Sequence, residues 1–333
     1  MGLGTYLGEH DAVTDQAYAQ CTRHCLEMAV NVIDTAINYR FQRSERSIGK
    51  ALGELIADGK LSREEAVIAT KGGFLTFDAE VPADPNAYFR REYLDAGVVK
   101  PEEVVGGMHC LAPAFIANQL ERSRRNLNLE TIDIYFLHNP ETQLQAVARP
   151  EFLERMRAAF ERLEEAVKSG AVGCYGVATW DGFRRPPKAL DYLSLEELVK
   201  LAEEVGGEEH HFKAVQLPFN LAMPEAYAFF NQTVAGEKVS LLEATRVLGI
   251  TVLASASILQ GQVARGLPDE LRAHLNGGLK TDAQRALQFT RSAPGVDIAL
   301  VGMKQLEHVE ENLRLREVPL LAPERFRNLF DSA

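Results

Sequence analysis

Cysteine is scarce in this sequence, four residues in 333. That is too few for a disulfide scaffold and fits a reducing, cytoplasmic setting. Tryptophan occurs once, and no apolar run approaches the ~20 residues that span a bilayer. The opening MGLGTYLGEH has no basic stretch followed by an apolar core, so no secretory signal is expected. Positive charge is in deficit, with 36 Lys+Arg against 47 Asp+Glu and a formal net charge of −11. Such a chain is poorly suited to nucleic acid or an anionic membrane surface. No linker rich in Ser or Pro divides it, so a single domain over 1–333 is expected.

What the sequence does contain is alternation of short β-rich runs with amphipathic helices. The runs are Leu3–Leu7, Val32–Thr35, Val67–Thr70, Ile132–Leu137, Gly173–Ala178, Ala214–Leu217, Ile250–Ala254 and Ile298–Val301. They are continuously apolar, as strands buried on both faces should be. Between them, sets such as Leu153, Met156, Phe160, Leu163 and Val167 step by three and four along one helical face. Thr14 is expected to cap the first helix, and Gly170 and Gly206-Gly207 to end two others. Eight such repeats predict an α/β chain closed into a (β/α)8 TIM barrel. An open sheet would want a glycine fingerprint after its first strand, but Gly2-Leu3-Gly4 lies within the strand itself.

Three connections are long: 72–113, 180–193 and 255–281. Each follows a strand and so should emerge at the C-terminal rim, where barrel sites are built. Residues 72–113 are expected to cover the substrate side of the mouth, bringing Phe74, Phe77, Tyr88, Phe89 and Tyr93 to it. Residues 317–333 should form a C-terminal tail helix.

The strand ends carry the chemistry. Strand two ends at Asp34 and runs on to Tyr39, strand three ends at Thr70-Lys71, and strand four at Leu137-His138. Singly, each residue has an ordinary structural reading as a cap, a core edge or a solvated charge. Together they form a proton-donor set on one end of three consecutive strands. An ammonium beside a phenol lowers the phenol from its usual ~10. A carboxylate holds that ammonium in place, and a neutral imidazole can donate to an oxygen where negative charge develops.

On these and further motifs the chain resembles the aldo-keto reductase family along nearly its whole length. The motifs are Asn31–Ala36 with Tyr39, Ser44-Glu45 with Gly49, Ala69-Thr70-Lys71, Leu120–Ser123, Ile132–His138, Ala299–Gly302 and His308–Leu313. The resemblance implies an NAD(P)H-dependent oxidoreductase with Asp34, Tyr39, Lys71 and His138 as catalytic residues. Tyr39 would donate the proton as a small-molecule carbonyl or sugar is reduced, with no metal required. It further implies that Thr179 and Gln216 hold the nicotinamide, where Ala178 and Thr179 replace the family's usual Ser-Asn. Ser255 stands in the place of a stacking aromatic. Ser257, Gln260 and Gly261 would lie on the pyrophosphate, near the helix that starts by Gln305. Gly302, Lys304, His308, Glu311 and Asn312 would meet the rest of the cofactor, with NADP(H) favoured and NAD(H) possible.

Two other readings stand beside this one: a Schiff-base lyase or aldolase on Lys71, and a non-catalytic nicotinamide-binding subunit resembling the potassium-channel beta subunits. Cys21 with Cys25, and Glu208-Glu209-His210-His211, have metal-capable spacing but read better as core and solvated loop. Trp180 reads as a lining residue of the cofactor site or as core.

Overall fold

Eight parallel strands hydrogen-bond side by side until the last pairs with the first, in the order 1-8-7-6-5-4-3-2 around a closed barrel. They are β1 Gly2–Gly4, β2 Val32–Asp34, β3 Val67–Gly72, β4 Ile132–His138, β5 Val172–Ala178, β6 Phe212–Pro218, β7 Thr251–Ser255 and β8 Ile298–Gly302. One main helix follows each: α1 Ala12–Glu27, α2 Arg43–Ala57, α3 Pro113–Leu127, α4 Arg149–Lys168, α5 Leu195–Gly206, α6 Leu241–Leu248, α7 Asp282–Ser292 and α8 Leu306–Leu313. The computed structural model describes residues 1–275 and 277–331. The (β/α)8 barrel expected from the sequence is the fold observed, and no helix among the described residues is long and apolar enough to cross a membrane.

Side chains alternate across each strand, so every second residue points into the barrel. Val32, Ala69, Ile134, Phe136, Ala178, Ala214, Leu253 and Leu300 fill its interior as a cluster separate from the strand–helix layer outside. One step further along the same faces come Asp34, Lys71, His138, Gln216, Ser255 and Gly302, all at the C-terminal end. The parity that fills the core therefore also delivers the polar groups to the rim. At Gly176 the β5–β6 register slips, and a Cβ there would sit 1.8 Å from the Ala214 carbonyl oxygen, so only glycine fits.

Several boundaries differ from the sequence reading. The first strand stops at Gly4, and Tyr6 and Leu7 leave the sheet, 57% and 38% exposed. The third runs on to Gly72, placing Lys71 inside the ladder opposite Phe136. Asp11, not Thr14, caps α1: its carboxylate accepts from the Thr14 N–H at 2.7 Å, and a charged acceptor suits the positive end of a helix better than a hydroxyl.

Residues 72–113 are largely packed. Phe74 and Val105 each bridge His109, and a short helix Pro85–Phe89 continues as one π turn, Arg90–Leu94. Tyr88 and Tyr93 are buried, Tyr93 against Phe115 of α3 with its hydroxyl donating to the Thr76 carbonyl at 2.7 Å. Cys21 and Cys25 are buried on the core face of α1. His211 pairs with Glu164 at 2.8 Å at the N-terminal start of β6. A last helix, Pro323–Asp331, packs Phe326 on Phe289 and Tyr227; residues 332–333 of the expected tail lie outside the described residues.

Candidate active site

A cleft of about 630 Å³ opens at the C-terminal rim. Its floor is the ion pair between β2 and β3: Lys71 Nζ donates to both Asp34 oxygens, at 2.9 and 2.8 Å, and to the Thr35 carbonyl at 2.7 Å. Gln216 Nε2 donates to Asp34 Oδ1 at 2.7 Å, and Thr5 Oγ1 to the Asp34 carbonyl at 2.9 Å. Lys71 and Asp34 are buried, and the Lys71 nitrogen lies 4.8 Å from the centre of the Tyr39 ring. His138 meets Tyr39 edge-on at 5.9 Å between centroids, and Tyr6 meets it from another side at 5.0 Å. The structure thus gathers Asp34, Tyr39, Lys71 and His138 at one point.

The electrostatics assign protonation states. Burial works against the Lys71 charge, but Asp34 and Tyr39 more than offset it and hold the ammonium above its ordinary range. Burial, helped by the Lys71 charge, pushes His138 well below the usual imidazole value, so the ring is neutral at neutral pH. For Tyr39 the balance differs from the sequence expectation. Burial raises the phenol more than Lys71 lowers it, because the ammonium is already shared with Asp34. The phenol therefore keeps its proton at neutral pH and is a donor in the resting state. A half-buried, protonated phenol beside a neutral imidazole can protonate and polarise a carbonyl oxygen.

Of the remaining sequence-derived positions, Thr179, Gln216, Ser255, Ser257, Gln260, Gly261, Gly302, Lys304 and His308 all line the cleft. Glu311 and Asn312 do not. Glu311 turns to α7, pairing with the Thr281 hydroxyl and accepting at its carbonyl from Gln284 Nε2 at 2.7 Å, while Asn312 is buried. Of the aromatics expected from 72–113, only Phe74 lines the cleft, edge-on to His138 at 5.0 Å.

The fit to a nicotinamide cofactor rests on unused polar groups and open backbone. Thr179 Oγ1 is buried without a hydrogen-bond partner among the described residues. Gly4 and Gly302 pair across β1 and β8, and a Cβ on either would find nothing nearer than 3.8 Å, so bare backbone lines this part of the cleft. Past β7, Ala256, Leu259 and Gln260 all hold positive φ, a strain tolerated where a loop is shaped for a ligand.

Sequence reasoning passed over Tyr6, Asn38 and Asn139, which also line the cleft, while Gln305, named for the pyrophosphate end, lines it as expected. It also passed over two buried supports, His109 and Glu141. For Glu141 a signal existed, a carboxylate three residues after His138. For His109, which sits 29 residues from its partner, there was none.

The aldo/keto reductase family model matches residues 1–330. A 6-dehydroglucose reductase from Novosphingobium aromaticivorans is 27% identical over 190 residues, 56% of this chain and 49% of that protein, so the match spans about half of the relative. An aldo/keto reductase from Klebsiella pneumoniae, solved in complex with NADP and acetate, superposes with a TM-score of 0.66 at 21% identity, covering 99% of this chain and 90% of that one. A glycerol dehydrogenase from Gluconobacter oxydans gives 0.66 at 19% identity over the same shares. At these identities the structural likeness is one of fold.

Proposed function

The chain belongs to the aldo/keto reductase family, and on that premise we propose that it interconverts small-molecule carbonyls, sugars among them, and alcohols with a nicotinamide cofactor. The carrying observation is the buried Asp34–Lys71 pair beneath Tyr39, with neutral His138 edge-on to the same ring. Thr179 and Gln216 would hold the carboxamide, and the loop through Ser257, Gln260 and Gly261 the pyrophosphate. Lys304 and His308 would meet the adenosine end. Bound there, the reduced nicotinamide supplies a hydride.

The chain's own residues do the rest. Tyr39 gives its proton to the carbonyl oxygen, and the phenolate left behind is stabilised by the Lys71 ammonium. Asp34 keeps Lys71 charged and fixed, so little reorganisation accompanies proton transfer. His138, uncharged, orients and polarises the oxygen without competing for the proton. NADP(H) is the favoured cofactor, in keeping with the NADP complex of the Klebsiella relative. The sugar class is drawn from the 6-dehydroglucose reductase. A Schiff base on Lys71 is disfavoured, because its nitrogen is charged and fully engaged with Asp34 and Thr35.

The test is a screen of NADPH and NADH oxidation, and the reverse, over aldehydes, ketones and sugars. Turnover on at least one carbonyl class is expected. Cofactor binding with no turnover anywhere would favour the regulatory-subunit reading, and borohydride trapping of substrate on Lys71 the lyase.

A further inference from the structure

Glu141 is a carboxylate the chemistry above does not use. It lies in the 3-10 turn Pro140–Gln145 directly after β4, is 6% exposed, and forms no ion pair among the described residues. Its Oε1 accepts from three consecutive main-chain N–H groups: Trp180 at 2.9 Å, Asp181 at 3.1 Å and Gly182 at 3.3 Å. Its Oε2 is buried with no partner among the described residues. The three donors belong to the turn after β5, whose Thr179 and Trp180 side chains line the cleft. From the other side Arg184 holds the turn, donating to the Trp180 carbonyl at 3.1 Å and to Glu225 at 2.7 Å.

We propose that Glu141 is the positioning residue for the nicotinamide end of the cleft: by gathering the N–H groups of 180–182 onto one oxygen it sets where Thr179 and Trp180 stand. Three consecutive N–H groups converging on one carboxyl oxygen fix the backbone of the turn, and Oε1 accepts from them whether or not Oε2 carries a proton. Thr179 is held on its other flank by its own N–H, which donates to the Gln216 carbonyl at 2.8 Å. Losing the carboxylate frees the turn on one side only, so the barrel stays closed while the Thr179 hydroxyl loses its aim. This inference rests on the cofactor reading above.

Trp180 is the sole tryptophan, and it is 43% exposed at the cleft, so its fluorescence reports both the turn and cofactor binding. NADPH is titrated into the wild type, Glu141→Ala and Glu141→Gln by Trp180 quenching, with circular dichroism as the check on folding. The wild type should quench. Glu141→Ala should bind NADPH about tenfold more weakly and show shifted Trp180 emission before cofactor is added. Glu141→Gln keeps an acceptor oxygen and should recover most of both. Folded Glu141→Ala with wild-type emission and affinity would overturn the proposal. If Ala does not fold, Glu141→Met, close in volume but without an acceptor oxygen, decides: shifted Trp180 emission with weakened binding upholds the role, and wild-type values of both overturn it. A wild type that binds neither NADPH nor NADH sinks the cofactor reading instead.

Discussion

His109 Nε2 donates to the main-chain carbonyl of His138 across 2.7 Å, and the ring of Phe74 lies edge-on to both imidazoles, at 4.8 and 5.0 Å. The tautomer follows from the other nitrogen: Gln143 Nε2 donates to His109 Nδ1 at 2.7 Å, leaving the proton on Nε2. Gln143 is fixed in turn by Arg155 of α4, at 2.5 Å. Burial pushes His109 down to about 4, so it stays neutral. Gly73 makes the room, since a Cβ there would lie 3.1 Å from His109 Nε2 and 3.0 Å from the His138 oxygen. A helix outside the barrel is thereby connected to the backbone of a site residue within it.

His109→Leu should therefore lower kcat about tenfold while leaving NADPH affinity within twofold, because it loosens His138 and not the cofactor face. Steady-state kinetics beside the Trp180 titration separates the two. An unchanged kcat in the folded variant would show that His138 needs no such support.

Tyr39→Phe should abolish turnover with cofactor affinity nearly unchanged, since the ring packing survives and only the donated proton is lost. Lys71→Met should cost about three orders of magnitude or more by removing the charge that stabilises the phenolate. A Phe variant with most of its activity would exclude Tyr39 as the acid.

Phe74→Ala tests how 72–113 meets the substrate. As Phe74 is the residue of that segment's aromatic set lining the cleft, its loss should raise KM or change the carbonyl range without weakening NADPH binding. Weakened cofactor binding with an unchanged range would assign this wall to the cofactor.

Lys304→Ala and His308→Ala should each lower the NADPH/NADH ratio of kcat/KM, about tenfold for the lysine. Both line the cleft and are exposed, and Gly302 offers no side-chain donor for a 2′-phosphate. An unchanged ratio would place the phosphate elsewhere.

Glu141 also makes a stability prediction. Burial raises it from the usual carboxylate range to about 7, outweighing the backbone N–H groups that favour its charge. A raised folded value means that its contribution is complete below ~4.5 and is lost as pH rises through about 7. Buried His109 acts in the opposite sense over pH 6.5 to 4, its contribution falling as the pH falls. Glu141→Gln removes the Glu141 contribution, so its stability relative to wild type should rise between pH 4.5 and 7 by up to ~3 kcal/mol. Urea denaturation at pH 4.5, 5.5 and 7 reads this directly, and a pH-independent difference would mean that Glu141 does not titrate there.

The sequence by itself determined the repeating strand and helix, and with them the height of the site. Both rest on local periodicity: Asp34, Lys71, His138 and Gln216 share the inward parity of Val32, Ala69, Phe136 and Ala214, so chain geometry carries them to one rim. Strand ends were less legible, because whether Tyr6 or Lys71 belongs to the ladder depends on where the neighbouring strand stops pairing. Only the tertiary structure decided that Glu311 faces α7, that His109 and Glu141 support the cleft, and that burial keeps the Tyr39 phenol protonated despite Lys71. Each of these depends on distance between groups far apart in the chain and on how much water is excluded around them, and neither quantity is written in local sequence pattern.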